Sequence, residues 1–220
     1  MVAGPEALPA RPGPRTGPPT KTSPPPGRSR RALQLDSRGL DTGTSEPKAA
    51  VGTCDICAAN AAFDAGADPW GVARLQTGYV RLNPNQYFAG STFFVAKDCL
   101  AELHDLDRPT RLLHLDEMAE VAAAVWGVFA PRKLNYEALG NGAPHLHWWL
   151  TPRYADDARP RAPIWEDLEF LRAQWTNSQE PSPDLRDQRR RDLLVALRRR
   201  DVTIEVEPLG QWLPPTSPLY

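Results

Sequence analysis

Between Pro144 and Arg153 apolar and polar positions alternate as they do in a half-buried strand. Leu146, Trp148 and Leu150 fall on one face, and His145, His147 and Trp149 on the other. Tyr79 to Leu82 and Ser91 to Ala96 read as two more strands, the second through the β-branched and aromatic run Thr92-Phe93-Phe94-Val95. Asn83 to Gly90 between them has turn chemistry. Leu112, Leu115, Ala119, Ala122, Val125 or Trp126, and Phe129 recur at helical spacing, which predicts a main helix over Asp107 to Ala130 with that stripe toward the core. Asp107 caps it, Pro109 sits in its first turn and Pro131 stops it. A strand over Lys133 to Leu139 then returns through Gly140-Asn141-Gly142 as a hairpin. Tyr154 to Trp165 reads as a polar loop whose Pro163-Ile164-Trp165 folds an aromatic back over the sheet. The pattern gives an α+β fold: a mostly antiparallel sheet with one main helix packed on it.

The two ends differ in character. Residues 1 to 50 carry prolines at 5, 9, 12, 14, 18, 19, 24, 25 and 26 and few large apolar residues, so a disordered Pro-rich tail is expected. Arg28, Arg30 and Arg31 form a small basic cluster there, read as part of a solvated tail. Residues 51–175 form the expected folded domain, and 176–220 an arginine-rich helical extension. Leu185 to Arg200 holds seven arginines around Leu193, Leu194 and Leu197, with Asp184, Asp187 and Asp192 offsetting part of the charge. A solvated helix docked by its leucines is favoured over a nucleic-acid surface. Val202 to Val206 alternates as a short last strand.

Charge and cysteine content narrow the class. The chain has 220 residues and a net charge of −1, which does not mark the whole molecule as a polyanion binder. No apolar run is long enough to span a membrane, and the N-terminus lacks the apolar stretch of a secretory signal. Three cysteines, an odd number, argue against a disulfide framework and for a reducing cytoplasm.

Two of the four histidines share the 144–153 stretch, beside a glycine-rich turn able to bring backbone N–H groups to an anion. Singly, each would pass for an ordinary sheet-surface histidine; as a pair they suit nucleophilic or acid–base chemistry. His104 and His114 read as surface or boundary residues. Cys54-Asp55-Ile56-Cys57 is a C-x-x-C, either half of a zinc site or a redox pair, and no thioredoxin-like βαβ context accompanies it. A lone Cys99 would also pass for a small buried hydrophobe.

The run Leu134-Asn135-Tyr136-Glu137-Ala138-Leu139-Gly140-Asn141-Gly142-Ala143-Pro144-His145-Leu146-His147 resembles a bacterial branch of the histidine triad (HIT) proteins, whose signature is His-φ-His-φ-His-φ-φ. The resemblance covers about Cys54 to Trp165, and Trp149 stands where the third histidine is expected. It implies a HIT-like fold, often homodimeric, acting on nucleotides at the α-phosphate through a nucleotidyl-histidine and needing no catalytic metal. His147 would attack phosphorus, with His145 and the backbone around Asn141 and Gly142 holding phosphate oxygens. Asn83, at a position usually acidic, Asn135 and Trp149 would contact substrate. Cys99 stands where a Lys-x-His element has its histidine, and some members bind zinc there with a C-x-x-C. That implies a structural zinc on Cys54, Cys57 and Cys99, completed by His145 or, less favoured, His104. If His145 is a ligand, its part at the phosphate becomes indirect. Trp149 raises the alternative of a nucleotide-binding or interaction module without turnover. Against it, the uridylyltransferase branch of the superfamily carries Gln at the third position and remains active. A zinc-stabilised nucleic-acid-associated protein using the arginine-rich tail is a further, less favoured alternative.

Overall fold

A computed structural model describes residues 54–176 and 179–208. The expected disordered tail over 1–50 lies outside the described residues. Six strands form one antiparallel sheet: β1 (Gly71–Leu75), β2 (Gly78–Leu82), β3 (Thr92–Ala96), β4 (Lys133–Glu137), β5 (His147–Arg153) and β6 (Ile204–Val206). Their order across the sheet is β4-β5-β3-β2-β1-β6. Among the described residues four α-helices accompany it: α1 (Asp55–Asp64), α2 (Arg108–Phe129), α3 (Leu168–Thr176) and α4 (Pro183–Leu197). The α+β class and the antiparallel sheet are as the alternation predicts. The pattern did not announce α1, β1 or α3.

The helix α2 begins where its cap requires, with the Asp107 carboxylate accepting from the Thr110 N–H and Pro109 in the first turn. It packs on the sheet beside α4. Val80, Leu82, Phe94, Leu134 and Leu150 meet Val121 and Val125 of α2 and Leu193, Leu194 and Leu197 of α4 in one core. Asn83 and Asn85 accept backbone N–H bonds two residues on and shape the loop between β2 and β3. Gly90 in that loop has φ +83°, and a Cβ there would meet the Phe129 ring at 2.3 Å, so glycine is required.

Two expectations about α2 are corrected. Its buried face runs through His114, Glu117, Val121, Ala122, Ala124 and Val125, so Ala122 and Val125 of the predicted stripe are buried, whereas Leu112 and Trp126 are 53% and 47% exposed. His114 is not a boundary residue but is fully buried, stacked on Phe94. Polar groups are tolerated there because each finds a partner. The Trp148 indole N–H donates to His114 Nε2 at 3.2 Å, so His114 Nδ1 carries the proton and donates to the Thr77 hydroxyl at 3.0 Å. That hydroxyl donates in turn to Glu117, which also accepts the Gln76 and Thr77 N–H groups at 2.9 Å. The network bolts the β1–β2 turn and β5 to α2.

The arginine-rich segment belongs to this core rather than to a free basic surface. Arg190 donates to the Gly71 carbonyl and pairs with Asp187, Arg198 pairs with Glu207, and Arg200 with Glu120. Beyond α4, β6 pairs with β1 and extends the sheet.

Burial lowers the His114 pKa from 6.5 to about 4. The unfolded chain takes up that proton near its ordinary pKa, so between roughly pH 6.5 and 4 it binds more protons than the folded chain. Stability therefore falls as pH is lowered through that window, and this contribution levels off below it. We expect His114→Gln to be less stable than wild type near neutrality, yet to lose less stability between about pH 7 and about pH 4.5 in urea unfolding. Equal losses in the two proteins would assign the acid sensitivity to other groups.

Candidate functional site

The site forms where the chain returns from β4 to β5. Gly140 has φ +64° and turns the loop, while Gly142 has open space where a Cβ would stand. Glycine is thus needed at the first position and not at the second. The N–H groups of Asn141, Gly142 and Ala143 donate to no backbone carbonyl among the described residues. The His145 N–H then bonds to the Ala143 carbonyl at 2.7 Å, a tight turn that delays β5 until His147.

His145 thus precedes β5, and the α1 residues that it meets pack on the sheet face that His147 and Trp149 share with Val95 and Phe93. His145 is fully buried. Its Nε2 donates to the Ala96 carbonyl at 2.8 Å, which leaves the lone pair on Nδ1. Nδ1 lies 3.5 Å from Cys54 Sγ and 3.6 Å from Cys57 Sγ. With Cys99 Sγ these donor atoms all fall within 4.8 Å of one another. Tetrahedral bonds of about 2.3 Å to sulfur and 2.1 Å to nitrogen would set S and N roughly 3.6 Å apart, so the four residues can hold one tetrahedral metal ion. Burial and the neighbouring Cys99 and Cys54 thiols push the Cys57 thiol up to about 12. At Cys54, hydrogen bonds from the Cys57 and Ile56 backbone and from its fellow thiols outweigh burial and lower the pKa. Cys54 and Cys57 are thus opposed in losing their protons together, which a bound cation would relieve. His104, the other candidate ligand, is exposed beside Asp105 and outside the cluster.

His147 opens β5. Its Nδ1 lies 2.6 Å from the carbonyl of His145, and a carbonyl only accepts, so Nδ1 carries the proton and Nε2 the lone pair. That acceptor lies two positions beyond Ala143, the last residue of the turn. His147 and Trp149 stand on the same face as Phe93 of β3, with Phe93 edge-on to both rings. A cavity of about 270 Å³ opens there, lined by Ile56, Trp70, Arg81, Phe93, His147 and Trp149 among others. A second crevice, of about 200 Å³, lies toward Asn141, which lines it together with His147. His147 thus stands between an apolar chamber and a loop of unpaired N–H groups.

The remaining predicted residues are distributed differently. Asn83 is 2% exposed, and its amide is committed to Asn85 N–H and the Ser91 hydroxyl, so it shapes its loop and does not line the cavity. Asn135 sits on β4 opposite Thr151, its Oδ1 buried without a partner, and it does not line the cavity either. Trp149 packs against Phe93 and Trp165, at ring separations of 5.0 and 5.9 Å, and walls the chamber. Arg81, Trp70 and Ile56 were not singled out from the sequence. The alternation of Tyr79 and Arg81 within β2 was the available signal for Arg81, and Ile56 lies inside the C-x-x-C itself.

No protein-family model matches the chain, and no curated protein matches it in sequence. Solved structures do match. A histidine triad protein from Bradyrhizobium japonicum is 24% identical, covering 59% of this chain and 88% of its own, with a TM-score of 0.45. A zinc-bound histidine triad family protein from Mycobacterium smegmatis is 18% identical over 68% of this chain and 96% of its own, with a TM-score of 0.47. A histidine triad nucleotide-binding protein from Sulfolobus tokodaii is 12% identical over 65% of this chain and 93% of its own, with a TM-score of 0.50. At that identity the last match speaks for the fold alone, and by it this chain has the histidine triad fold.

Proposed function

We propose that the chain is a nucleotide hydrolase or transferase acting at the α-phosphate of a nucleoside phosphate, phosphoramidate or dinucleoside polyphosphate. The observation that carries this reading is the hydrogen bond from His147 Nδ1 to the His145 carbonyl. It leaves an unprotonated Nε2 at the meeting of an apolar chamber and a loop of unpaired N–H groups. Nε2 attacks the α-phosphorus, a P–N bond forms, and the bond to the leaving group breaks with its electron pair. Water, or another acceptor, then attacks the same phosphorus and returns the pair to Nε2. The Asn141, Gly142 and Ala143 N–H groups supply donors for the phosphate oxygens. His145 has both nitrogens engaged elsewhere and acts through its carbonyl. Trp149, as a donor-only indole, supplies no proton to the leaving group. The arrangement therefore suits a leaving group that departs as a stable anion, such as a phosphate chain.

Cys54, Cys57, Cys99 and His145 would hold a structural zinc, whose contribution is to pin α1 and the end of β3 to the His145 turn. A closed set of four protein donors leaves it no part in the chemistry. Free thiols of this kind suit a reducing compartment such as the cytoplasm. Among the described residues no helix is long and apolar enough to cross a membrane. We also propose a homodimer: β4 is the last strand of the sheet, its Tyr136 is exposed, and Leu112 and Trp126 leave an apolar stripe of α2 uncovered. The wall formed by Trp149 favours one second reading, a nucleotide-binding module without turnover.

Intact mass after brief mixing with dinucleoside polyphosphates and nucleoside phosphoramidates separates the two readings. We expect a nucleotidyl adduct on wild type and none on His147→Asn, with turnover falling roughly a thousandfold or more while nucleotide binding and thermal midpoint hold. Wild type that binds nucleotide and never forms an adduct or product establishes the module instead. Elemental analysis of protein purified without chelator should give close to one zinc per chain, and less in Cys99→Ser. Under about a tenth of an equivalent in wild type would sink the zinc assignment. Sedimentation should give twice the chain mass, and Trp126→Glu should shift it toward the monomer; a wild-type monomer at micromolar concentration would remove the dimer.

A further inference from the structure

The chamber beside His147 is apolar except for one charged side chain. Arg81 of β2 lies opposite Phe93 of β3, which lies opposite Trp149 of β5, so the three form a row across one face of the sheet. Directly opposed residues on neighbouring strands stand about 5 Å apart, which sets Arg81 roughly 10 Å from the β5 strand that carries His147. Arg81 Nε pairs with Asp68 Oδ2 at 3.0 Å. Asp68 is itself buried and anchored, its Oδ1 accepting the Trp70 N–H at 3.0 Å. Among the described residues neither terminal Nη of Arg81 donates a hydrogen bond within the protein, although the side chain is only 16% exposed. A guanidinium held by one edge in this way offers its other N–H groups as a fixed fork.

We propose that Arg81 determines base specificity by donating to the O6 and N7 acceptor pair of a guanine-type base, so that the preferred substrates are guanine or hypoxanthine nucleotides. The proposal rests on the nucleotide reading above. Asp68 already neutralises the guanidinium, so a second anion in the chamber gains little, whereas a neutral pair of acceptors still satisfies the free N–H groups. Guanine presents two acceptors, O6 and N7, along one edge; adenine puts an amino donor at the same place, facing the donors of Arg81. Trp70, Phe93 and Trp149 supply the aromatic walls on which a flat purine rests, and these do not distinguish one base from another. A span of roughly 10 Å from the fork to β5 is one that a purine nucleoside covers with its phosphate at His147.

Equilibrium binding of GMP, IMP and AMP to the full chain tests this without requiring turnover. Wild type should bind GMP and IMP roughly tenfold or more tightly than AMP. IMP isolates the O6 and N7 edge, since it lacks the 2-amino group of guanine. Arg81→Lys, which keeps a charge beside Asp68 and loses the fork, should bring the three affinities together. Arg81→Gln should do the same or tilt the preference toward AMP, because an amide pairs with the N6 and N7 edge of adenine. The wild-type ratio decides the matter even if a variant fails to fold. Equal binding of GMP and AMP, IMP binding like AMP, or a preference that survives in Arg81→Lys would each overturn the role of Arg81 while leaving the nucleotide reading intact. Absence of binding by all three, together with no adduct from dinucleoside polyphosphates, would remove both.

Discussion

His145 is held at three points, and the site depends on all of them. Its Nε2 donates to the Ala96 carbonyl at the end of β3, its Nδ1 faces the Cys54 and Cys57 thiols, and its own carbonyl takes the Nδ1 proton of His147. The first bond fixes which imidazole nitrogen keeps a lone pair for the cluster. The third fixes which nitrogen of His147 keeps one toward the chamber under the proposed chemistry. Two tautomers are thus set by two backbone carbonyls, and neither requires a carboxylate. A buried histidine with both nitrogens engaged also holds its carbonyl in place more firmly than an exposed loop residue would.

Behind this turn the sheet is fastened by a second polar network, on the opposite face. Trp148 lies next to His147 in β5, and its indole N–H ends on His114 of α2. From there the chain of donors runs through the Thr77 hydroxyl to Glu117. Every polar group in it is matched, so the cost of burying them is offset within the network. Its structural effect is to hold β5 against α2 immediately after His147. The two faces of β5 therefore have different duties: Trp148 and Leu150 anchor, while His147 and Trp149 present.

Trp149 stands where the resemblance implies a third imidazole, and an indole there differs in chemistry as well as in shape. An indole cannot carry a proton to a leaving group, but it adds a large flat wall to the chamber and packs on Phe93 and Trp165. The short turn over Ile164–Glu166 brings Trp165 there, with Ile164 buried beneath. The enclosure leaves Arg81 as the charged group at a largely apolar surface, already balanced by Asp68.

Much of this was legible in the residues alone. The alternation in β2, β3 and β5, the cap and stops of α2, and the C-x-x-C are local patterns, because strand period, helix capping and proline chemistry act over a few residues. The histidine pair and the company of Cys99 were legible through resemblance. Tertiary structure decided the rest. Which nitrogen His145 turns to the thiol cluster depended on the Ala96 carbonyl, 49 residues away. Helix α2 carries two faces that burial would fit, and the packing of α4 and the partners of His114 and Glu117 selected the more polar one. Strand β1 is short and lies between its hairpin partner β2 and β6, the latter more than a hundred residues later. Asn83 lost its expected role because its amide found nearer partners in its own loop. Arg81 acquired one because β2, β3 and β5 set it in a row with Phe93 and Trp149. Local patterning determines which elements form; which side chain meets which is settled only when non-local pairs compete for the same buried partners.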